Sequence, residues 1–161
     1  QILCAKFRKG HFEGVIKVMD RLTDLIKPKK IFMGEKDYQQ FYLVKKYLNK
    51  KYSSKIIQCK TIRDKNKIAL SSRNLLLDKK DLFKAGKFIK DLMNLKNKYS
   101  KFNSFNKMLD LKKKEFSKLY KIKIEYLELR NLNNLKLSKK IKNSKIFVAF
   151  YLNKVRLIDN I

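Results

Sequence analysis

The sequence predicts an α/β fold, a partial doubly wound parallel sheet followed by a small α+β domain, and three observations carry that prediction. Apolar spacing alternates helix, strand, helix, strand over the first sixty residues, which implies parallel βαβ crossovers. Beyond Thr61 the texture changes to a polar loop, and after a split near residue 70 further amphipathic helices follow. The last third alternates apolar and polar residues and holds a two-residue turn signal, as an antiparallel sheet requires. The predicted division is residues 1–70 and 71–161.

In chain order, Phe12, Val15, Ile16, Met19, Leu22, Leu25 and Ile26 recur at helical spacing and Pro28 stops the run, so a helix is expected over 11–27 with that face packed. Lys30-Ile31-Phe32-Met33 reads as a short buried strand, residues 38–48 as a second helix, and Lys55-Ile56-Ile57-Gln58-Cys59 as a second strand. Beyond the polar loop, Asp78 with Asp81 three positions on marks a helix start. That helix places Leu82, Phe83, Ala85, Phe88, Ile89, Leu92 and Met93 on its inner side. Another spans about 104–119, capped by Ser104 and carrying Phe105, Met108, Leu109, Leu111, Phe116 and Leu119. Ile122, Ile124 and Tyr126 then alternate with Lys123, Glu125 and Leu127. Finally, Asn153-Lys154 separates Phe150-Tyr151-Leu152 from Val155-Arg156-Leu157-Ile158, a hairpin in which Asn tolerates positive φ.

The chain carries a formal net charge of +28 over 161 residues, a balance that normally suggests a nucleic acid or an anionic surface as partner. Arginine occurs only six times, however, leaving 36 of the 42 basic residues as lysine. Asn and Ile are abundant while Gly, Pro and Ala are scarce. Lys, Asn and Ile have AT-rich codons, so nucleotide bias in the genome accounts for the charge without a polyanion. No zinc-finger spacing, RNA-binding aromatic signature or basic heptad is present, and nucleic acid is not the expected partner. The longest purely apolar run, 146–152, falls far short of the roughly 20 residues that span a bilayer, so no membrane is expected. No signal peptide is expected, and Cys4 and Cys59 lack CxxC spacing, so a reducing cytoplasm is the expected location. The solitary His11 cannot build a histidine-rich metal site, and none is expected.

Chemistry concentrates in three segments. Gly34-Glu35-Lys36-Asp37-Tyr38-Gln39-Gln40 lies at the carboxyl end of a strand and the start of a helix, where open α/β sheets bind ligands. There Gly34 lets backbone approach a ribose, Lys36 supplies a point charge for phosphate, Asp37 accepts from hydroxyls, and Gln40 suits a small polar substrate. A solvated strand-to-helix turn is the plainer alternative. Ser71-Ser72-Arg73-Asn74 offers two hydroxyls and a guanidinium for phosphate, or else an N-cap cluster. Arg8-Lys9-Gly10-His11 offers an anion-binding loop at a helix start, or an ordinary cap.

Taken together, Arg8-Lys9-Gly10-His11-Phe12-Glu13-Gly14-Val15, the 34–40 segment, and Thr61-Ile62-Arg63-Asp64 leading to Ile68-Ala69-Leu70-Ser71-Ser72-Arg73-Asn74 resemble the pantothenate synthetase family. Residues 125–130 and 156–160 match its carboxyl-terminal blocks, so the resemblance runs in order along the whole chain. It implies a Rossmann-like, nucleotidyltransferase-type domain with an α+β lid. The implied activity is an ATP-dependent ligation in which pantoate is adenylated with release of pyrophosphate, and β-alanine then displaces AMP. By carry-over, Gly34, Glu35, Lys36 and Asp37 contact ATP and Gln40 holds pantoate. Ile62 and Leu70 bracket adenine through backbone groups, and Ser71, Ser72 and Arg73 grip the phosphates. Mg²⁺ on the phosphates and a homodimeric full-length protein are also implied.

The departures from the family pattern are specific. The family's His-x-Gly-His signature is absent from these residues, as is the first half of its nucleotide-binding sheet, so the catalytic residues stay unassigned. His11 belongs to the Gly-His-Phe block and does not substitute. The chain therefore reads as the carboxyl-terminal portion of a longer enzyme, inactive as a ligase by itself. Lys9 replaces a proline, Lys67 a glycine and Leu70 a methionine of the usual pattern. The alternatives are a basic nucleic-acid-binding module and a non-catalytic remnant.

Overall fold

A computed structural model describes residues 2–98 and 105–161, which form two compact units, Gln1–Thr61 and Ile62–Ile161. The 62–70 stretch, left with the first part on sequence texture, is grouped with the second unit, since Arg63 bridges Ala69 and bonds Asp159 far along the chain.

In the first unit a short helix α1 (Cys4–Phe7) precedes α2 (His11–Ile26), which starts on Gly10 at φ 74. The left-handed conformation makes glycine the fitting residue there. At its other end Lys27 adopts φ 49 and donates its N–H to Thr23 O at 2.9 Å, so the helix is closed by a left-handed cap immediately before Pro28. Strand β1 (Lys30–Gly34) runs into a single 3₁₀ turn at Glu35–Asp37 and then α3 (Tyr38–Leu48), the crossover to β2 (Lys55–Cys59). The two strands pair in parallel from Lys30↔Lys55 to Gly34↔Cys59, the crossover relation expected of the alternation. Phe12, Met33, Tyr38, Phe41, Val44, Leu48 and Ile56 are buried. The face of α2 is only partly covered: Leu25 and Ile26 are 60% and 68% exposed, and Phe32 on β1 also faces solvent. Helical periodicity identified the stripe but not how much of it is covered.

The second unit stacks α4 (Lys79–Lys98) and α5 (Phe105–Tyr120) with an antiparallel sheet ordered β3 (Lys123–Asn131), β4 (Ser144–Leu152), β5 (Val155–Asn160). Asp78 opens α4 by accepting from Asp81 N at 2.7 Å. The proposed cap Ser104 lies outside the described residues. On α4 the buried apolar side chains are Ala85, Phe88, Ile89, Leu92 and Leu95, and Phe83 is exposed; on α5 they are Phe105, Leu109, Phe116 and Tyr120, and Leu111 and Leu119 are exposed. Each helix thus buries a narrower stripe than its apolar content suggested. Phe88 sits at the centre, with its ring 4.9 Å from Phe150, 5.6 Å from Phe116 and 5.7 Å from Tyr120. Tyr120 donates to Asp91; burial first, and the hydrogen bond to that carboxylate second, raise its hydroxyl well above the usual tyrosine value.

Strand β3 departs from simple alternation. Ile124 pairs with Phe150 and Tyr126 with Ala149, so Glu125 is an extra residue and the faces exchange there. Ile122 and Ile124 point into the core before the bulge, and Leu127 and Leu129 do so after it, while Tyr126 is buried on the other face. The β4–β5 turn is Asn153-Lys154 with Asn153 at φ 53, as the hairpin reading requires.

Candidate functional site

Each unit brings together its own set of candidate residues. In the first unit the parallel register sets Gly34 beside Cys59, so both strands end at the same edge. Gly34 is extended, at φ −67 and ψ 133, with nothing within 4 Å of where a side chain would start. Space beside its backbone is therefore open. Glu35 ties the two strand ends together, accepting from Gln58 Nε2 at 2.8 Å and from Thr61 N at 3.5 Å. The next two residues form an ion pair: Lys36 Nζ lies 3.7 Å from Asp37 Oδ2, with the lysine side chain 20% and the aspartate 50% exposed. A compact cation and a carboxylate with solvent-facing acceptor capacity thus stand at the end of β1. Tyr38 is buried against Phe41; burial first, and the charge of Glu35 second, hold its hydroxyl above the ordinary tyrosine value.

The two glutamines that follow divide sharply. Gln39 turns inward, its Oε1 accepting from Cys4 N and its Nε2 donating to Ile2 O, both at 3.0 Å. Both ends of that amide are committed to the backbone at the start of α1. Gln40, one residue and about 100° further round the helix, is half-buried, and no hydrogen bond of its side chain occurs among the described residues. Only the second amide is available to a ligand.

The Arg8–His11 loop forms the start of α2. Arg8 is exposed and its carbonyl accepts from His11 N at 3.3 Å, while the His11 ring packs at 5.0 Å from that of Phe12. Cap and anion loop are compatible here, since the Arg8 side chain extends from the same turn that Gly10 shapes.

In the second unit, Leu70 N donates to Ile62 O at 2.9 Å, closing a loop whose two ends present exposed side chains, 71% for Ile62 and 55% for Leu70. Inside the loop the Asp64 carboxylate accepts from Asn66 N and Ile68 N, both at 2.9 Å, and Lys67 takes φ 72. Lysine therefore occupies the left-handed position where the resemblance expects glycine, and the turn forms nonetheless. Ser71 accepts from Arg73 N at 3.3 Å as the cap of a 3₁₀ turn, Ser72–Leu76. Its hydroxyl hydrogen is not used by that bond and can still be donated. Ser72 is exposed, and Arg73 Nη1 donates to Arg156 O at 3.1 Å, leaving most of its guanidinium fork for another acceptor. The N-cap reading of 71–74 thus holds for the 3₁₀ turn, whereas α4 has its own cap at Asp78.

Sequence reasoning gave no role to Gln39, Glu125 or Asp159. Glu125 accepts from Arg156 Nε at 3.1 Å, and Asp159 receives the Arg63 fork. The available signal was the rarity of acids in a strand-forming region of so basic a chain. Among the described residues there is no cluster of three His, Cys, Asp or Glu that could hold a metal ion, and no helix is long and apolar enough to cross a membrane.

Comparison with known proteins bears on the family and the fold. The model of the Pantoate-beta-alanine ligase family matches residues 1–161. The chain is similar to the pantothenate synthetase of Campylobacter hominis, at 35% identity over 99% of this chain and 59% of that protein. Among solved structures, a pantothenate synthetase from Thermus thermophilus superimposes with a TM-score of 0.88 at 26% identity, over 99% of this chain and 59% of the other. A pantoate-beta-alanine ligase from Francisella tularensis, complexed with beta-gamma ATP and beta-alanine, gives a TM-score of 0.77 at 34% identity, over 99% of this chain and 53% of that one. The chain thus spans a little over half the length of the relatives it matches. With the family matched along all 161 residues and the fold shared with its solved members, the chain belongs to the pantoate-beta-alanine ligase family.

Proposed function

We propose that the chain carries ATP- and pantoate-binding elements of an AMP-forming pantoate–β-alanine ligase and corresponds to the carboxyl-terminal portion of such an enzyme. In the first unit the Gly34 backbone and Asp37 meet the ribose, Lys36 meets the phosphates and Gln40 holds pantoate. Glu35 serves by joining the strand ends that carry these groups. Arg8 and His11 form an anion-binding loop at the start of α2. In the second unit Ile62 and Leu70 hold adenine through backbone groups, and Ser71, Ser72 and Arg73 donate to phosphate oxygens. ATP enters as its Mg²⁺ complex, the metal being bound largely by the phosphates.

A pantoate carboxylate oxygen attacks the α-phosphorus, the α–β bridging P–O bond breaks, and pyrophosphate leaves. The amine of β-alanine then attacks the acyl carbon, AMP leaves, and the amine gives up its proton. Negative charge moves onto the phosphate oxygens during the first step, so fixed cations and hydroxyl donors lower its barrier. Holding the carboxylate in line with phosphorus supplies the entropic part. Stabilisation of the leaving phosphates by the family's His-x-Gly-His motif lies outside these residues.

The observation that carries the reading is the split between the glutamines, which among the described residues leaves the Gln40 side chain without a hydrogen-bond partner on the same helix turn that follows the Lys36–Asp37 pair. The ATP and β-alanine in the Francisella tularensis complex support the same substrates. With two cysteines that lack CxxC spacing, the cytoplasm is the location this reading takes. A homodimer is the assembly the family resemblance supports.

Given ATP, pantoate and β-alanine, the intact gene product is expected to turn over with release of AMP, and leaving out either small substrate should stop turnover. Release of ADP, or turnover indifferent to pantoate, overturns the reading.

A further inference from the structure

Arg63 reaches across 96 residues of sequence to Asp159, donating Nη1 to Oδ2 at 2.6 Å and Nη2 to Oδ1 at 2.9 Å. Its two terminal nitrogens bond further, Nη2 to Asn160 O at 3.2 Å and Nη1 to Lys67 O at 2.9 Å. The pair is well covered, with side-chain exposures of 18% for Arg63 and 3% for Asp159. Ion pairs this buried add little net stability over an apolar pair of similar size, because both charges are desolvated. What the fork does add is position: one planar group ties the middle of the 62–70 loop, through the Lys67 carbonyl, to the last strand.

The same loop is seated from the other side by α4. A side-chain carbon at Gly86 would lie 2.6 Å from Asn66 O and 2.8 Å from Asn66 Cβ, so the helix backbone itself abuts the loop. The downstream end is tied to β5 a second time by Arg73 Nη1 on Arg156 O, and the Arg156 side chain is itself paired with Glu125. Segment 62–73 is therefore fastened at both ends to β5 and pressed against α4, while Ile62, Leu70 and Ser72 face solvent. Both terminal nitrogens of Arg63 and both carboxylate oxygens of Asp159 are taken up within the second unit.

We propose that Arg63 and Asp159 are positioning residues for the nucleotide. Their fork fixes the spacing and tilt of the Ile62 and Leu70 backbone groups without touching substrate. This rests on the reading that segment 62–73 binds ATP. A loop left free to shift by about an ångström is expected to lose up to about 100-fold in productive binding.

The test compares Arg63→Ala and the near-isosteric Asp159→Asn in the intact gene product, reading KM for ATP, KM for pantoate and amide exchange at residues 64–70. The expected result is a KM for ATP raised about 10-fold or more, a KM for pantoate within about twofold, and faster exchange at Ile68 and Leu70 with the α4 amides unchanged. Arg63→Lys keeps the charge but cannot fork, and is expected to restore ATP binding only in part. Faster loop exchange with KM for ATP unchanged overturns the inference and leaves the functional reading standing. Loss of the fold in both variants would make the pair a stability element and overturns it as well. If the unmodified protein shows no pantoate-dependent use of ATP, the functional reading fails and takes the inference with it.

Discussion

Lys36→Ala in the intact gene product is expected to slow pantoyl-adenylate formation about 100- to 1,000-fold, the cost of removing one preorganised electrostatic group from a charge-developing transition state. The ammonium is held in place: its side chain is four-fifths covered and its Nζ stands 3.7 Å from Asp37. Removing it does more than delete an attraction. Asp37 stays behind as an uncompensated carboxylate at the end of β1, where the proposed phosphates approach, so repulsion replaces neutralisation. Lys36→Arg keeps the charge but spreads it over a planar fork and should recover the rate only partly. Single-turnover measurement of adenylate, with far-UV circular dichroism to show that the fold is kept, provides the check. A loss within about threefold would remove Lys36 from the phosphate role and favour a non-catalytic remnant.

The largest expected effect on stability is at Phe88. Phe88→Ala should lower the unfolding free energy of the second unit by about 3–5 kcal/mol, the usual range for a fully buried phenylalanine. The ring is fully buried and has three aromatic neighbours, each contributed by another element: Phe116 and Tyr120 from α5 and Phe150 from β4. Truncation therefore opens a cavity that one helix cannot close by sliding, and it removes edge-to-face contacts with Phe116 and Phe150. Domains are stable by only about 5–15 kcal/mol, so this one change would consume a large fraction of that margin. Urea denaturation followed by far-UV circular dichroism measures it. Phe83→Ala, on an exposed ring of the same helix, is the matched control and should change stability by less than about 0.5 kcal/mol.

Local pattern and long-range pairing were unequally legible in the sequence. The bounds of α3 and β2 follow from apolar periodicity and the punctuation around them, and the β4–β5 turn from Asn153-Lys154, because each depends on neighbours within a few residues. Exposure of Phe83, Leu111 and Leu119 was not legible, since helical spacing marks an apolar side but not how much of it a partner covers. Alternation along β3 was misleading beyond Glu125 because a bulge inserts a residue without changing composition. At the site, 34–40 was readable as a polar segment at a strand end. The decisive difference between Gln39 and Gln40 required knowing that the backbone of Ile2 and Cys4 packs against α3. The Arg63–Asp159 fork joins positions at opposite ends of the second unit, and nothing local in either pairs them.

The central claim is that the site activates a carboxylate by adenylation, and the most direct measurement withholds the second substrate. With labelled pyrophosphate, ATP, Mg²⁺ and pantoate present and β-alanine absent, the intact gene product is expected to exchange label into ATP, because adenylate formation reverses on the enzyme. Exchange should disappear when pantoate is omitted. Pantothenate synthesis without any pantoate-dependent exchange, or exchange that requires β-alanine, would contradict the account.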